Sequence, residues 1–137
     1  MKDAAPQQVR LAEYTPPNWL VDSVHLTFKL APSATRVISR VAFRPNPDVA
    51  DRSFWLDGEK LQLIRAMIDG APVDPRVDGA GLSVPVPDAP FVWEAEVEID
   101  PSSNTELEGL YISNGLYCTQ CEAEGFRKIT YYPDRPD

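Results

Sequence analysis

An all-β fold, an antiparallel β-sandwich, is predicted by three observations. Apolar and polar residues alternate with period two in several stretches, turn-forming pairs separate those stretches, and no stretch carries a convincing amphipathic helical period. The 137 residues make one domain or part of one, at ~150 residues per domain. Hydrophobic residues are 43% and charged residues 25%, the balance of a globular chain and not of a disordered one. The 14 prolines are about twice the usual ~5% share against only 7 glycines, so they act as punctuation between short elements.

The first strand places Val24, Leu26, Phe28 and Leu30 on one side and His25, Thr27 and Lys29 on the other. After Ala31-Pro32-Ser33, residues 36–44 set Val37, Val41 and Phe43 opposite Arg36, Arg40 and Arg44, and Asn46-Pro47-Asp48 closes the run. A short strand around Phe54-Trp55-Leu56 meets Asp57-Gly58, and residues 61–68 run into Asp69-Gly70. Both Asp-Gly pairs suit tight turns, because glycine accepts positive φ cheaply. Leu82, Val84 and Val86 alternate with Ser83, Pro85 and Pro87, and the two prolines predict an edge strand. The clearest strand points Phe91, Trp93, Ala95, Val97 and Ile99 inward and Glu94, Glu96 and Glu98 outward. That makes six or seven strands by Asp100. Two packed sheets bury such faces, whereas one open sheet leaves a large apolar face wet.

After Pro101 the pattern changes. Ser102-Ser103-Asn104-Thr105 is a predicted loop and Leu107-Glu108-Gly109-Leu110-Tyr111 a short strand, whereas residues 118–127 break the alternation. A short irregular or helical segment is expected there, with a turn of helix beginning near Glu122, whose carboxylate suits a helix N-terminus. The ending at Tyr131-Tyr132-Pro133-Asp134-Arg135-Pro136-Asp137 reads as an interrupted sequence.

Charge and composition narrow the function. The net charge of −8 is concentrated late: residues 1–90 hold 11 acidic and 10 basic residues, residues 91–137 hold 10 and 3. Such a field repels nucleic acid and anionic membrane and attracts cations, including the ammonium group of a peptide. No run approaches the ~18 apolar residues of a membrane span, and Met1-Lys2-Asp3-Ala4-Ala5-Pro6-Gln7-Gln8 has no signal-peptide core, so a cytoplasmic location is expected. His25 is the sole histidine, so H-E-x-x-H is impossible; no G-x-S-x-G, P-loop or G-x-G-x-x-G occurs either.

The remaining polar features have plain readings beside sharper ones. Cys118 and Cys121 form one C-x-x-C, half of a metal site and without a thioredoxin-like context, so a structural or incidental role outweighs metal or redox chemistry. Reduced thiols are expected in a cytoplasmic protein. His25 lies on the polar side of its strand and reads as a surface residue. The three glutamates of the clearest strand read as a solvated face, with Arg36, Arg40 and Arg44 able to pair with such glutamates across strands or against another domain. Gln120, Glu122 and Glu124 sit in the acidic third where strand periodicity stops, and composition alone favours a polar loop for them.

The stretches Asn104-Thr105-Glu106-Leu107-Glu108-Gly109-Leu110-Tyr111 and Cys118-Thr119-Gln120-Cys121-Glu122-Ala123-Glu124-Gly125-Phe126-Arg127 resemble the bacterial aminopeptidase N family of zinc metallopeptidases. The resemblance continues through Ile129-Thr130-Tyr131-Tyr132 and Asp134-Arg135-Pro136-Asp137. It is looser earlier, where Tyr14, Pro17, Asp22 and Leu26-Thr27-Phe28 fall at the expected opening strand. The resemblance implies that residues 1–137 are most of one N-terminal β-sandwich domain, cut before its final strands, which forms one wall of an active-site cavity. The thermolysin-like domain that holds zinc through H-E-x-x-H and a third glutamate, and that carries G-A-M-E-N, is absent from this chain. By the same resemblance Glu122 binds the α-amine of a peptide N-terminus, Gln120 lines the first side-chain pocket, and Glu124 has no assigned role. The expected partners are peptide N-termini and the catalytic domain of the same polypeptide, with self-association of the cut domain. A stand-alone β-sandwich adaptor that binds another protein is the alternative.

Overall fold

The computed structural model describes residues 16–122 and 124–135; Met1–Gln8, Tyr14, Ala123, Pro136 and Asp137 of the sequence reading lie outside the described residues. Among the described residues ten strands follow in order: β1 (Trp19–Lys29), β2 (Thr35–Pro45), β3 (Trp55–Asp57), β4 (Gln62–Ile68), β5 (Ala71–Pro72), β6 (Arg76–Val77), β7 (Gly81–Ser83), β8 (Phe91–Ile99), β9 (Gly109–Ser113) and β10 (Leu116–Gln120). All pairings are antiparallel. They form a five-stranded sheet in the order β1-β2-β8-β4-β5, a three-stranded sheet β3-β7-β6, and the hairpin β9-β10. Among the described residues the only helical pieces are short 3₁₀ turns at Pro101–Ser103 and Gly125–Lys128. None of the described helices is long and apolar enough to cross a membrane.

One apolar core joins the layers. Val37, Val41 and Phe43 of β2 and Phe91, Trp93, Ala95 and Val97 of β8 meet Leu56 of β3 and Leu82 of β7. Phe54 is the link: its ring lies 5.0 Å from Phe43, 5.3 Å from Phe91 and 6.1 Å from Trp93. The first two are edge-to-face contacts, which contribute beyond the area they bury. The outer face of the large sheet carries Arg36, which donates to Glu96 at 2.7 Å and to Glu98 at 2.9 Å, while Arg65 reaches Glu96 at 3.0 Å. Hydrogen bonds from Arg36 and then Arg65 hold the Glu96 carboxyl below the usual carboxylate range. The cross-strand pairing of Arg36 with that glutamate row is therefore present.

Four strand expectations need correction. The first concerns β1: Val24 and Phe28 lie opposite Val41 and Val37, on the core side of the sheet. Yet they are 37% and 39% exposed, and Leu30 53%, because the small sheet does not cover this edge. A register shift between Val21 and Ser23 leaves Trp19 and Val21 as the β1 residues packed in the core. Second, β7 is not an edge strand but the centre of its sheet, because Pro85 and Pro87 fall after its end. Third, Asp57-Gly58 is not a hairpin turn. A Cβ on Gly58 would meet the Tyr131 ring at 2.3 Å, so glycine is needed there for the close approach of that ring. The second Asp-Gly pair does turn, with Asp69 at φ 50° and Gly70 at φ 81° joining β4 to β5. Fourth, β10 occupies part of the segment expected to be irregular, and the helical turn begins at Gly125, three residues after Glu122.

Candidate functional site

The segment that carries Gln120 and Glu122 is built by the β9–β10 hairpin and the 3₁₀ turn that follows. Asn114 (φ 51°) and Gly115 (φ 78°) close the hairpin, both in the left-handed region that two-residue hairpin turns require. Its register sets Gln120 directly across from Gly109 at the open end. There the chain bends back so closely that a Cβ on Gly125 would lie 2.3 Å from the Gln120 carbonyl oxygen and 3.3 Å from the Gly109 nitrogen. Only glycine permits this backbone contact, and it fixes where β10 stops.

Within that bend the Gln120 side chain folds forward, and its Oε1 accepts the Glu122 backbone N–H at 3.0 Å. The two residues the sequence singled out are thus joined in one turn, with the Glu122 side chain exposed. Glu124 is set apart. It stands at the N-cap of the 3₁₀ turn without making a capping bond, and its carboxylate lies 3.7 Å from Arg127. A groove lined by Trp19, Phe54, Trp55 and Asp57 lies elsewhere and includes neither Gln120 nor Glu122.

The residue that ties the 3₁₀ turn after this bend to the body of the domain is one that sequence reasoning missed. Arg127, with a side chain 15% exposed, donates from Nε to Asp134 Oδ2 at 3.1 Å and from Nη2 to the Asp134 carbonyl at 3.1 Å. Its backbone N–H reaches the same carboxylate at 3.2 Å, and its carbonyl accepts the Glu59 N–H at 2.9 Å. Asp57 Oδ2 accepts the Asp134 N–H at 3.0 Å, and Asp57 bridges Tyr132 through two backbone bonds. Burial disfavours the Arg127 charge, but the hydrogen bond to Asp134 and the nearby Asp57 and Glu124 outweigh it and raise its pKa. Its neighbour Lys128 reaches Glu106 and Glu108, each at 3.3 Å. Two of the three basic residues in the acidic last third are therefore structural clamps. That scarcity was the available signal.

Cys118 and Cys121 are free thiols. Cys121 is exposed overall, and partial desolvation of its thiol, with the Asp134 charge nearby, pushes it above its ordinary pKa. Among the described residues no three His, Cys, Asp or Glu side chains converge to hold a metal ion.

No family model matches the chain. Individual proteins do. The β-rich architecture superposes on an aminopeptidase: the crystal structure of Legionella pneumophila aminopeptidase A in complex with aspartic acid matches with a TM-score of 0.83 at 28% identity, covering 94% of this chain and 16% of that one. The fold class is therefore that of an aminopeptidase N-terminal β-domain. Aminopeptidase N of Caulobacter vibrioides is 47% identical over 141 residues, covering 100% of this chain. Those of Escherichia coli and Haemophilus influenzae are 39% and 40% identical over 96% and 91% of it. The chain is similar along nearly all of its length to these Aminopeptidase N proteins, and it spans 15–16% of their length.

Proposed function

We propose that this chain is the N-terminal β-domain of a zinc aminopeptidase, in which Glu122 anchors the α-amine of a peptide substrate and Gln120 lines the pocket for its first side chain. The observation that carries the reading is the 47% identity to an aminopeptidase N along the whole chain. The turn supplies the chemistry. An exopeptidase must measure from the chain terminus to the scissile bond, and a fixed carboxylate does so by holding the ammonium through a charge-assisted contact. The Gln120 oxygen is already engaged by the Glu122 N–H, which orients the turn and leaves the amide N–H donors for substrate. Exposure of Glu122 in the isolated domain fits a cavity completed by other parts of a longer polypeptide.

The described residues do not fit a zinc ion, since no donor set converges. In this reading the metal's ligands lie in the five-sixths of the relatives' length outside the chain. The isolated chain is expected to bind no stoichiometric zinc and to hydrolyse no aminoacyl substrate. One tightly held zinc per chain, with chelator-sensitive hydrolysis, would overturn the assignment. A reading frame continuing past Asp137 into H-E-x-x-H and a further glutamate would support it, whereas a stop codon there would favour the adaptor.

The uncovered Val24 and Phe28 of β1, with Leu30 just beyond its end, carry a further expectation. An apolar stripe beside a strand edge that has no partner strand among the described residues promotes association. Sedimentation of the isolated chain is expected to show concentration-dependent self-association, weakened by Phe28→Lys. A strictly monomeric chain at high concentration would count against it.

A further inference from the structure

We propose that Leu107 is a docking anchor: an apolar side chain held out by a strained, braced loop so that it seats against the remainder of a longer polypeptide, beside the Gln120–Glu122 turn. The occupant rests on the reading above, that this domain is one part of a larger enzyme. Two observations on Leu107 conflict with a purely local role. Its backbone is in the left-handed region (φ 58°), where an L-residue other than glycine, asparagine or aspartate is rarely found. Its side chain is nevertheless 54% exposed, so little local burial offsets the strain.

The loop around it is over-determined. Asn104 Nδ2 donates to the Glu108 carbonyl at 2.6 Å and to the Leu110 carbonyl at 2.9 Å, spanning Leu107 from both sides. Glu106 pairs with Lys60 and Lys128, and Lys128 also holds Glu108, so both neighbours of Leu107 are tied to the body of the domain. Strain that surrounding bonds maintain, at a residue that gains little by it, points to a contact made outside the domain. Position identifies the partner. Leu107 is two residues from Gly109, which lies directly across from Gln120, so the anchor and the substrate turn share the open end of one hairpin. In the proposed reading, a surface closes the cavity over Glu122 at this same end of the hairpin. With the chain covering 15–16% of its relatives, that surface belongs to the rest of the same polypeptide.

Hydrogen exchange on the isolated chain and on the polypeptide of the uninterrupted reading frame tests this, with Leu107→Asn in both. Asparagine tolerates the left-handed backbone but cannot fill an apolar pocket. In the longer protein, amides of residues 104–109 are expected to exchange at least about 10-fold more slowly than in the isolated chain, and Leu107→Asn to abolish that difference. In the isolated chain the same substitution is expected to move the unfolding midpoint by no more than roughly 2 °C. Equal exchange in both proteins overturns the proposal. So does a large loss of midpoint in the isolated chain, which would make Leu107 an internal packing residue. Neither readout needs turnover, so failure of the aminopeptidase reading registers separately, in the kinetics.

Discussion

Arg127→Ala is expected to lower the unfolding midpoint of the isolated chain by roughly 10 °C, corresponding to about 3 kcal/mol. The guanidinium is the cation facing Asp134, 11% exposed, and Asp57, 23% exposed, at 3.1 Å and 4.0 Å. Deleting it leaves two partly buried carboxylates without this cation, and an uncompensated buried charge costs more than the pair itself contributes. The loss also removes the two side-chain bonds from Arg127 to Asp134 that help hold that segment against the 3₁₀ turn. Arg127→Lys keeps the charge without the planar fork and is expected to fall between the two. Arg44→Ala is the control. Its pair with Asp22 spans 2.8 Å but both side chains are about half exposed, so the loss is expected to stay below ~1 kcal/mol. Thermal unfolding followed by circular dichroism decides it. A midpoint for Arg127→Ala within roughly 2 °C of the parent would show that the clamp is not structural.

How much of this was legible in the sequence depends on where each residue finds its partners. β2 and β8 are central strands with one face in the core and one in solvent, so alternation alone located them and their inward sets. β1 shows the limit. Its alternation gives the side Val24 and Phe28 face, but whether a second layer covers that side is a property of other strands. β10 escaped because both its faces are largely open, with Leu116 68% and Tyr117 38% exposed, so no apolar alternation marks it. The Asn114-Gly115 pair before it was the usable sign. For the site, Gln120 and Glu122 were reached only through a family resemblance, since an exposed glutamate in an acidic segment has no signature of its own. For the Arg127 clamp the scarcity of basic residues near Asp134 was the only sign, and its second partner Asp57 comes from a strand far away in sequence and meets it only in the folded chain.

In the longer polypeptide, Glu122→Ala is expected to reduce kcat/KM on an aminoacyl substrate by roughly 30- to several-thousand-fold. The substrate ammonium, like other α-amino groups, loses its proton only around pH ~7.7–8.0, so it is largely charged at neutral pH and needs a carboxylate partner when the cavity closes over it. Removing one member of a desolvated charge pair typically costs ~2–5 kcal/mol, at ~1.4 kcal/mol per decade of rate. Glu122→Gln is expected to be intermediate, because the amide oxygen still accepts a hydrogen bond without the charge. Glu124→Ala is the internal control and is expected to be nearly silent, since that carboxylate is exposed and lies 3.7 Å from Arg127. Zinc content is expected to be the same in all three variants, none of which alters a proposed metal ligand. Acetylating the substrate amine removes the charge from the other side, so it should depress the parent enzyme far more than Glu122→Ala. Near-parental kcat/KM for Glu122→Ala, together with a loss in Glu124→Ala, would mean that the anchor is the other carboxylate of this turn.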